Sequence, residues 1–314
     1  MPDKPPIDPE FAPLLEAMAA LPPMSEWTLE QIRTPPDASA FGAPEDVAEV
    51  RDLSIPADHG GIPARLYVPE GKPTALIVYY HGGGWMLGGI DTHDVPLRAF
   101  ANRTGAAVLS IDYRLTPEHV FPAPLDDCYA ALVWADEHQE ELAGGRVPIL
   151  IGGDSAGGNL TATTALLAQQ RGGPALAGQI LLYPSLDSRC EGASWEEHAD
   201  CPMLTAANMR FFWNTYLPDA AQRRNPLASP RDAASHAGLP PAIIAVAEYD
   251  PLRDEGLAYA DRLRAAGTEA TLLVYETLPH GFFNFLNLSK TAGAAFDEIA
   301  DRTRDLIAKS QVPA

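Results

Sequence analysis

The sequence predicts an α/β fold, a mostly parallel central sheet with helices on both faces and a helical cap. Two observations predict the layers. Short, unalternated apolar runs recur at 75–80 (ALIVYY), 106–111, 147–153, 178–184, 241–247 and 270–276, as strands buried on both faces require. Helix-like segments at 93–104, 122–142, 158–171 and 252–266 separate most of them, the alternation expected of parallel strands joined by crossover helices. A third observation predicts the cap: residues 186–236 hold no good strand, only the helix-like MLTAANMRFFWNTYLPD.

Along the chain, DPEFAPLLEAMAAL places Phe11, Leu14, Leu15 and Met18 on one face of a short amphipathic helix. The proline-punctuated PPMSEWTLEQIRTPPD is then expected to pack onto another element. VRDLSIPADHGGIPARLYVP alternates apolar and polar residues around DHGG and reads as a β-hairpin, adding antiparallel strands at one sheet edge. In the interval that breaks the later rhythm, Met209, Phe212, Trp213, Tyr216 and Leu217 share a helical face. That face suits either packing against the sheet or a lid over the C-terminal edge of the strands, where open α/β sheets bind ligands. The expected division is N-terminal cap helices over 1–45, one core over 46–185 and 237–314, and a cap insertion over 186–236.

A formal net charge of −20 repels phosphate backbones and anionic lipid, which argues against nucleic-acid and membrane-surface partners. Three scattered cysteines, Cys128, Cys190 and Cys201, suit neither a disulfide framework nor a zinc site; free thiols are expected, although Cys190 and Cys201 lie near enough in sequence to pair. MPDKPPIDPE shows no charged segment leading into an apolar one, and no apolar run approaches the ~20 residues that cross a bilayer, so no signal peptide, no membrane insertion and a cytoplasmic location are expected. A homodimer fits these data as well as a monomer does.

Gly153–Gly157 spells Gly-x-Ser-x-Gly where an apolar strand gives way to a helix-forming segment, the context of a nucleophile elbow. Small residues must flank Ser155 there, and Gly153, Ala156, Gly157 and Gly158 are small. Neither glycine cluster has the spacing of a dinucleotide or phosphate loop. A serine hydroxyl needs a base to remove its proton and a carboxylate to hold that base, in chain order Ser, acid, His for this arrangement. Of eight histidines, His280 lies past the last apolar run, on a turn between Pro279 and Gly281. Asp250 stands one step past the 241–247 run; Glu248 and Asp254 are rivals, and Asp followed by Pro251 is also a good helix cap. The cluster HGGGW (81–85) follows another strand and offers backbone N–H groups to an oxyanion: Gly83 and Gly84, joined by Ala156 after the nucleophile.

HGGGW (81–85), DYRLTPEH (112–119), GDSAGGN (153–159), DPLRDEG (250–256) and the pair His280–Gly281 together resemble the hormone-sensitive-lipase-like family of α/β-hydrolase esterases, in its Gly-Asp-Ser-Ala-Gly branch. The resemblance spans residues 81–281. It implies the α/β-hydrolase fold, a two-part cap, carboxylester hydrolysis and no cofactor or metal. Position by position it matches Ser155, Asp250 and His280 to a triad, and Gly83, Gly84 and Ala156 to the oxyanion donors. It also implies that Asp112, Arg114 and Glu118 are structural anchors; Thr116 stands where the family commonly has Ala.

The function expected is therefore a serine carboxylesterase acting on small-molecule esters through an acyl-enzyme. Trp85, Phe211, Phe212 and Trp213 are the expected pocket aromatics, and a compact cap favours short to medium acyl chains. An amidase on the same scaffold is the first alternative. A non-catalytic receptor is the second, and the presence of His280 counts against it.

Overall fold

The computed structural model describes residues 4–34 and 41–311; residues 1–3, 35–40 and 312–314, which fall within the expected ranges 1–45 and 237–314, lie outside the described residues. Its helices are α1 (Ala12–Ala19), α2 (Leu29–Arg33), α3 (Asp94–Thr104), α4 (Ala123–Glu137), α5 (Gln139–Ala143), α6 (Ala156–Arg171), α7 (Ala193–Glu197), α8 (Ala206–Tyr216), α9 (Arg253–Ala265) and α10 (Lys290–Ser310). Its strands are β1 (Glu49–Ile55), β2 (Ile62–Val68), β3 (Leu76–Tyr80), β4 (Ala107–Ile111), β5 (Ile149–Asp154), β6 (Gly178–Leu182), β7 (Ala242–Tyr249) and β8 (Ala270–Pro279).

The eight strands form one sheet in the order β1-β2-β4-β3-β5-β6-β7-β8. The hairpin is antiparallel, β2 runs antiparallel to β4, and every remaining pair is parallel. In β3 the two-residue pleat splits a continuous apolar run between two cores: Leu76, Val78 and Tyr80 go to one face, Ile77 and Tyr79 to the other. Leu125 and Leu132 of α4, Leu160 of α6 and Tyr259 of α9 cover the first face. Leu97 and Phe100 of α3 and Phe296 and Ile299 of α10 cover the second. The parallel order brings the C-terminal ends of β3, β5, β7 and β8 to one edge, and every residue of the proposed chemistry follows one of those ends.

Helix α10 is not among the helices expected above. Its buried Ala292, Ala295, Phe296, Ile299, Thr303, Leu306 and Ile307 recur at three- and four-residue steps, which closes the second core. The segment between β6 and β7 carries α7, α8 and two short 3₁₀ turns. On α8, Met209, Phe212, Trp213 and Tyr216 are buried.

The N-terminal segment crosses the same edge. Asp8 N–H donates to Thr277 O at 2.8 Å, Tyr249 Oη donates to Pro5 O at 2.6 Å, and Lys4 pairs with Glu197 of α7 and Glu248 of β7. Phe11 is fully buried, edge-on to Phe285. All three cysteines are free, and no described helix is long and apolar enough to cross a membrane.

Candidate active site

Strand β5 runs straight into α6, and the turn between them holds Ser155 at φ 55°, ψ −115°, a conformation that L-residues rarely adopt. The surroundings explain the glycines. A Cβ on Gly157 would sit 1.9 Å from Tyr80 O, and one on Gly153 would sit 2.4 Å from Gly157 O. Any larger residue would push strand and helix apart. Ser155 N–H donates to Leu182 O at 2.8 Å, which fixes the turn to β6.

Around this turn the structure gathers residues far apart in sequence. Ser155 Oγ lies 3.0 Å from His280 Nε2, and His280 Nδ1 lies 2.7 Å from Asp250 Oδ2. With Nδ1–H donating to the carboxylate, Nε2 is left as the acceptor of the serine proton. Asp250 is fully buried, and Ser155 and His280 are buried to within a few per cent. The Tyr183 ring supports the imidazole at 4.8 Å between centroids. Asp250 also closes the turn that leads into α9: its Oδ1 accepts from Leu252 N–H at 2.8 Å. Contact with the histidine and closure of the turn therefore fall to different oxygens of one carboxylate. The rival acids face elsewhere, Glu248 towards Lys4 and Arg253, Asp254 towards Arg253 and the N–H of Ser194.

The loop after β3 wraps over the same space. Gly83 (φ 119°) and Gly84 (φ 57°) occupy left-handed backbone regions, and a Cβ on Gly83 would meet Leu87 O at 2.0 Å. Gly82 N–H is already committed to Asp154 Oδ1 at 2.9 Å. The amides of Gly83 and Gly84 have no protein partner among the described residues, and Ala156 is the first residue of α6, where N–H groups lack intrahelical acceptors. Gly83 and Gly84 line the same cleft as Ser155, and Ala156 follows it directly in the chain.

The site opens into a cleft of about 280 Å³, walled by Ser155, His280, the 82–88 loop and a largely apolar set that includes Met18, Met24, Met203, Met209, Phe212 and Phe285. Of the four aromatics expected in this wall, Phe212 alone is there, its ring against Gly84. Trp85 is turned away and fully buried, stacked on Tyr216 at 4.3 Å with Trp213 beside it at 4.5 Å, because a left-handed backbone at Trp85 (φ 57°) sends its side chain into the core. Phe211 sits on the flank of α8, half-buried and outside the wall. The methionines of the wall were not among the expected site residues. They carry no motif, and only the fold brings α1, the 3₁₀ turn at Met24–Glu26 and α8 over the sheet edge.

Of the implied anchors, Arg114 grips the buried Asp127 through both Nε and Nη2, and Glu118 pairs with Arg33, tying α2 to the core at 2.5 Å. Asp112 is half-exposed, 3.6 Å from His81.

A family model described as alpha/beta hydrolase fold matches residues 77–284. The carboxylic ester hydrolase LipN of Mycobacterium tuberculosis is 45% identical over 274 residues, covering 84% of this chain and 72% of that protein. Carboxylesterase NlhH of the same organism is 42% identical over 272 residues, covering 85% and 84%. Among solved structures, that of a thermostable esterase from Pseudomonas putida matches with a TM-score of 0.88 at 32% identity, over 99% of this chain and 100% of that one.

Proposed function

Because the chain belongs to the hormone-sensitive-lipase-like group of the alpha/beta hydrolase fold family and is a carboxylic ester hydrolase, we propose that Ser155, His280 and Asp250 carry its chemistry through an acyl-enzyme. The observation that carries this reading is the unbroken series Asp250 Oδ2, His280, Ser155 Oγ, at 2.7 and 3.0 Å. Ser155 attacks the ester carbonyl while His280 Nε2 takes its proton. The imidazolium, held by Asp250, then protonates the departing alcohol. Water, deprotonated by the same nitrogen, releases the acid. Charge developing on the carbonyl oxygen falls to the amides of Gly83, Gly84 and Ala156; removing one such donor typically costs roughly 2.7–4 kcal/mol of transition-state stabilisation.

The cleft supports short to medium acyl chains. Its volume, about 280 Å³, lies at the lower edge of ordinary ligand pockets (roughly 300–1,000 Å³), and its wall is mostly apolar. The test is a series of p-nitrophenyl esters from acetate to palmitate, run on the wild type and on Ser155→Ala. Butyrate and hexanoate should be turned over faster than palmitate, and the variant should fall to background. A faster palmitate rate sinks the chain-length reading, and substantial turnover by Ser155→Ala sinks the mechanism.

A further inference from the structure

Beneath the 82–89 loop lies a buried polar cluster that the mechanism above does not use. Asp154, the residue before Ser155, is buried, and its Oδ1 accepts three hydrogen bonds, two from the end of β3 and the loop after it and one from the 3₁₀ turn Asp91–His93. Gly82 N–H donates at 2.9 Å, Tyr79 Oη at 3.0 Å and His93 Nε2 at 3.0 Å. His93 is itself buried; its Nδ1 lies 3.0 Å from Thr92 Oγ1. That hydroxyl oxygen accepts from Gly89 N–H at 3.0 Å and lies 2.9 Å from Gly89 O. The path therefore closes on itself. Gly82 starts the loop, Gly89 ends it, and Asp154, His93 and Thr92 join the two ends underneath.

The chemistry of the cluster fits a clamp. Burial works against a charged Asp154, but His93 and Tyr79 outweigh it and hold the carboxyl below its ordinary range, so an anion stands at the centre of three donors. A buried carboxylate so satisfied holds its partners in one geometry, because releasing any of them leaves a charge short of hydrogen bonds. The cluster also sits next to the nucleophile in sequence, so the serine turn and the glycine loop share one anchor.

We propose that His93 and Asp154 are positioning residues for the reaction: with Thr92 they pin both ends of the 82–89 loop and so keep the Gly83 and Gly84 amides aimed at the oxyanion. This rests on the reading of Ser155 as nucleophile and of those amides as its oxyanion donors. Neither residue needs to touch the reacting atoms. Loss of the clamp lets the donors wander, and misplacement on the order of 1 Å can cost about 10²-fold in rate.

The experiment compares wild type, His93→Ala, His93→Gln, Asp154→Asn and Tyr79→Phe. For each, active sites are counted by end-point fluorophosphonate labelling, kcat and KM are measured on p-nitrophenyl butyrate, and inhibition is measured with an alkyl trifluoromethyl ketone. Ser155 adds to that ketone, its proton passing to His280, and the carbonyl oxygen becomes an oxyanion in the loop. The expected result for His93→Ala and Asp154→Asn is kcat lower by roughly 10- to 100-fold per labelled site, KM within about threefold, and ketone affinity weakened by a matching factor. His93→Gln, which can still donate to Asp154, should recover most of the loss. Tyr79→Phe, which removes one donor of three, should show a smaller loss of the same kind, and it carries the comparison if the other variants do not fold. Wild-type kcat and ketone affinity in folded variants, with only the melting temperature lowered, overturn the proposal. So does a KM rise with kcat unchanged, which would make His93 part of the cleft wall and no more. If wild-type Ser155 takes no label, the nucleophile reading fails first and this proposal falls with it.

Discussion

At the residue scale, the account turns on single atoms having single jobs. Asp250 divides its two oxygens between the imidazole and the turn ahead of α9, which gives a sharp expectation for Asp250→Asn. The amide can still accept from Leu252 N–H, so the fold should survive with the melting temperature within a few degrees. The amide cannot hold the reactive tautomer of His280, and by analogy with the same change in a serine-protease triad kcat should fall about 10⁴-fold at neutral pH. Steady-state kinetics on p-nitrophenyl butyrate check this, and activity within tenfold of wild type would remove Asp250 from the proposed triad. Ser155, Asp250 and His280 are legible in the sequence because each follows a recognisable strand in the right order. His93 and Asp154 are not. Nothing in DTHD marks a histidine aimed under a loop, and Asp154 acquires its three donors only when β3 pairs with β5 and the turn bearing His93 packs against them. Trp85 misleads for a related reason: it adjoins the glycine cluster, yet its own backbone directs it inward.

At the element scale, the hairpin and the parallel strands follow from apolar runs that the sequence displays openly, and their ends shift by at most three residues, β8 running on to Pro279. Helix α10 has its apolar stripe in plain sight, but a reading guided by strand-like runs stops at 276 and passes over it. Less legible is the fastening of the inserted segment to the core. The buried Glu255 of α9 accepts from Leu186 N–H and Asp187 N–H at 2.7 and 2.9 Å and from Trp195 Nε1 of α7 at 2.9 Å. Burial is the dominant influence and pushes its pKa up to about 8 despite those donors. The folded state then binds the proton more tightly than the unfolded chain does. The stabilisation is fully present below the ordinary glutamate value of 4.5 and is lost as pH rises through about 8. Urea midpoints measured from pH 5 to pH 8 should fall with pH in the wild type and fall less steeply in Glu255→Gln; equal slopes would show that Glu255 is not the titrating group.

At the scale of the whole molecule, a chain of net charge −20 holds a cleft with a mostly apolar wall. Self-repulsion of that size is screened over about 10 Å at 0.1 M salt, whereas exposed ion pairs, also screened, contribute only ~0–1 kcal/mol each. The melting temperature should therefore rise as KCl goes from low millimolar to a few hundred millimolar, and a fall would mean that the surface pairs outweigh the repulsion. Net charge was readable from the sequence, but the cleft was not, since Met18, Met24, Met203 and Met209 reach it from segments nearly two hundred residues apart. The central claim is that one serine, activated at the edge of this sheet, does the work. Mass-spectrometric mapping after reaction with a fluorophosphonate tests it most directly. The account predicts one phosphonyl group per chain, on the peptide bearing Ser155, with hydrolysis lost in proportion to labelling. A label on another residue, or full hydrolysis after Ser155 is capped, would contradict it.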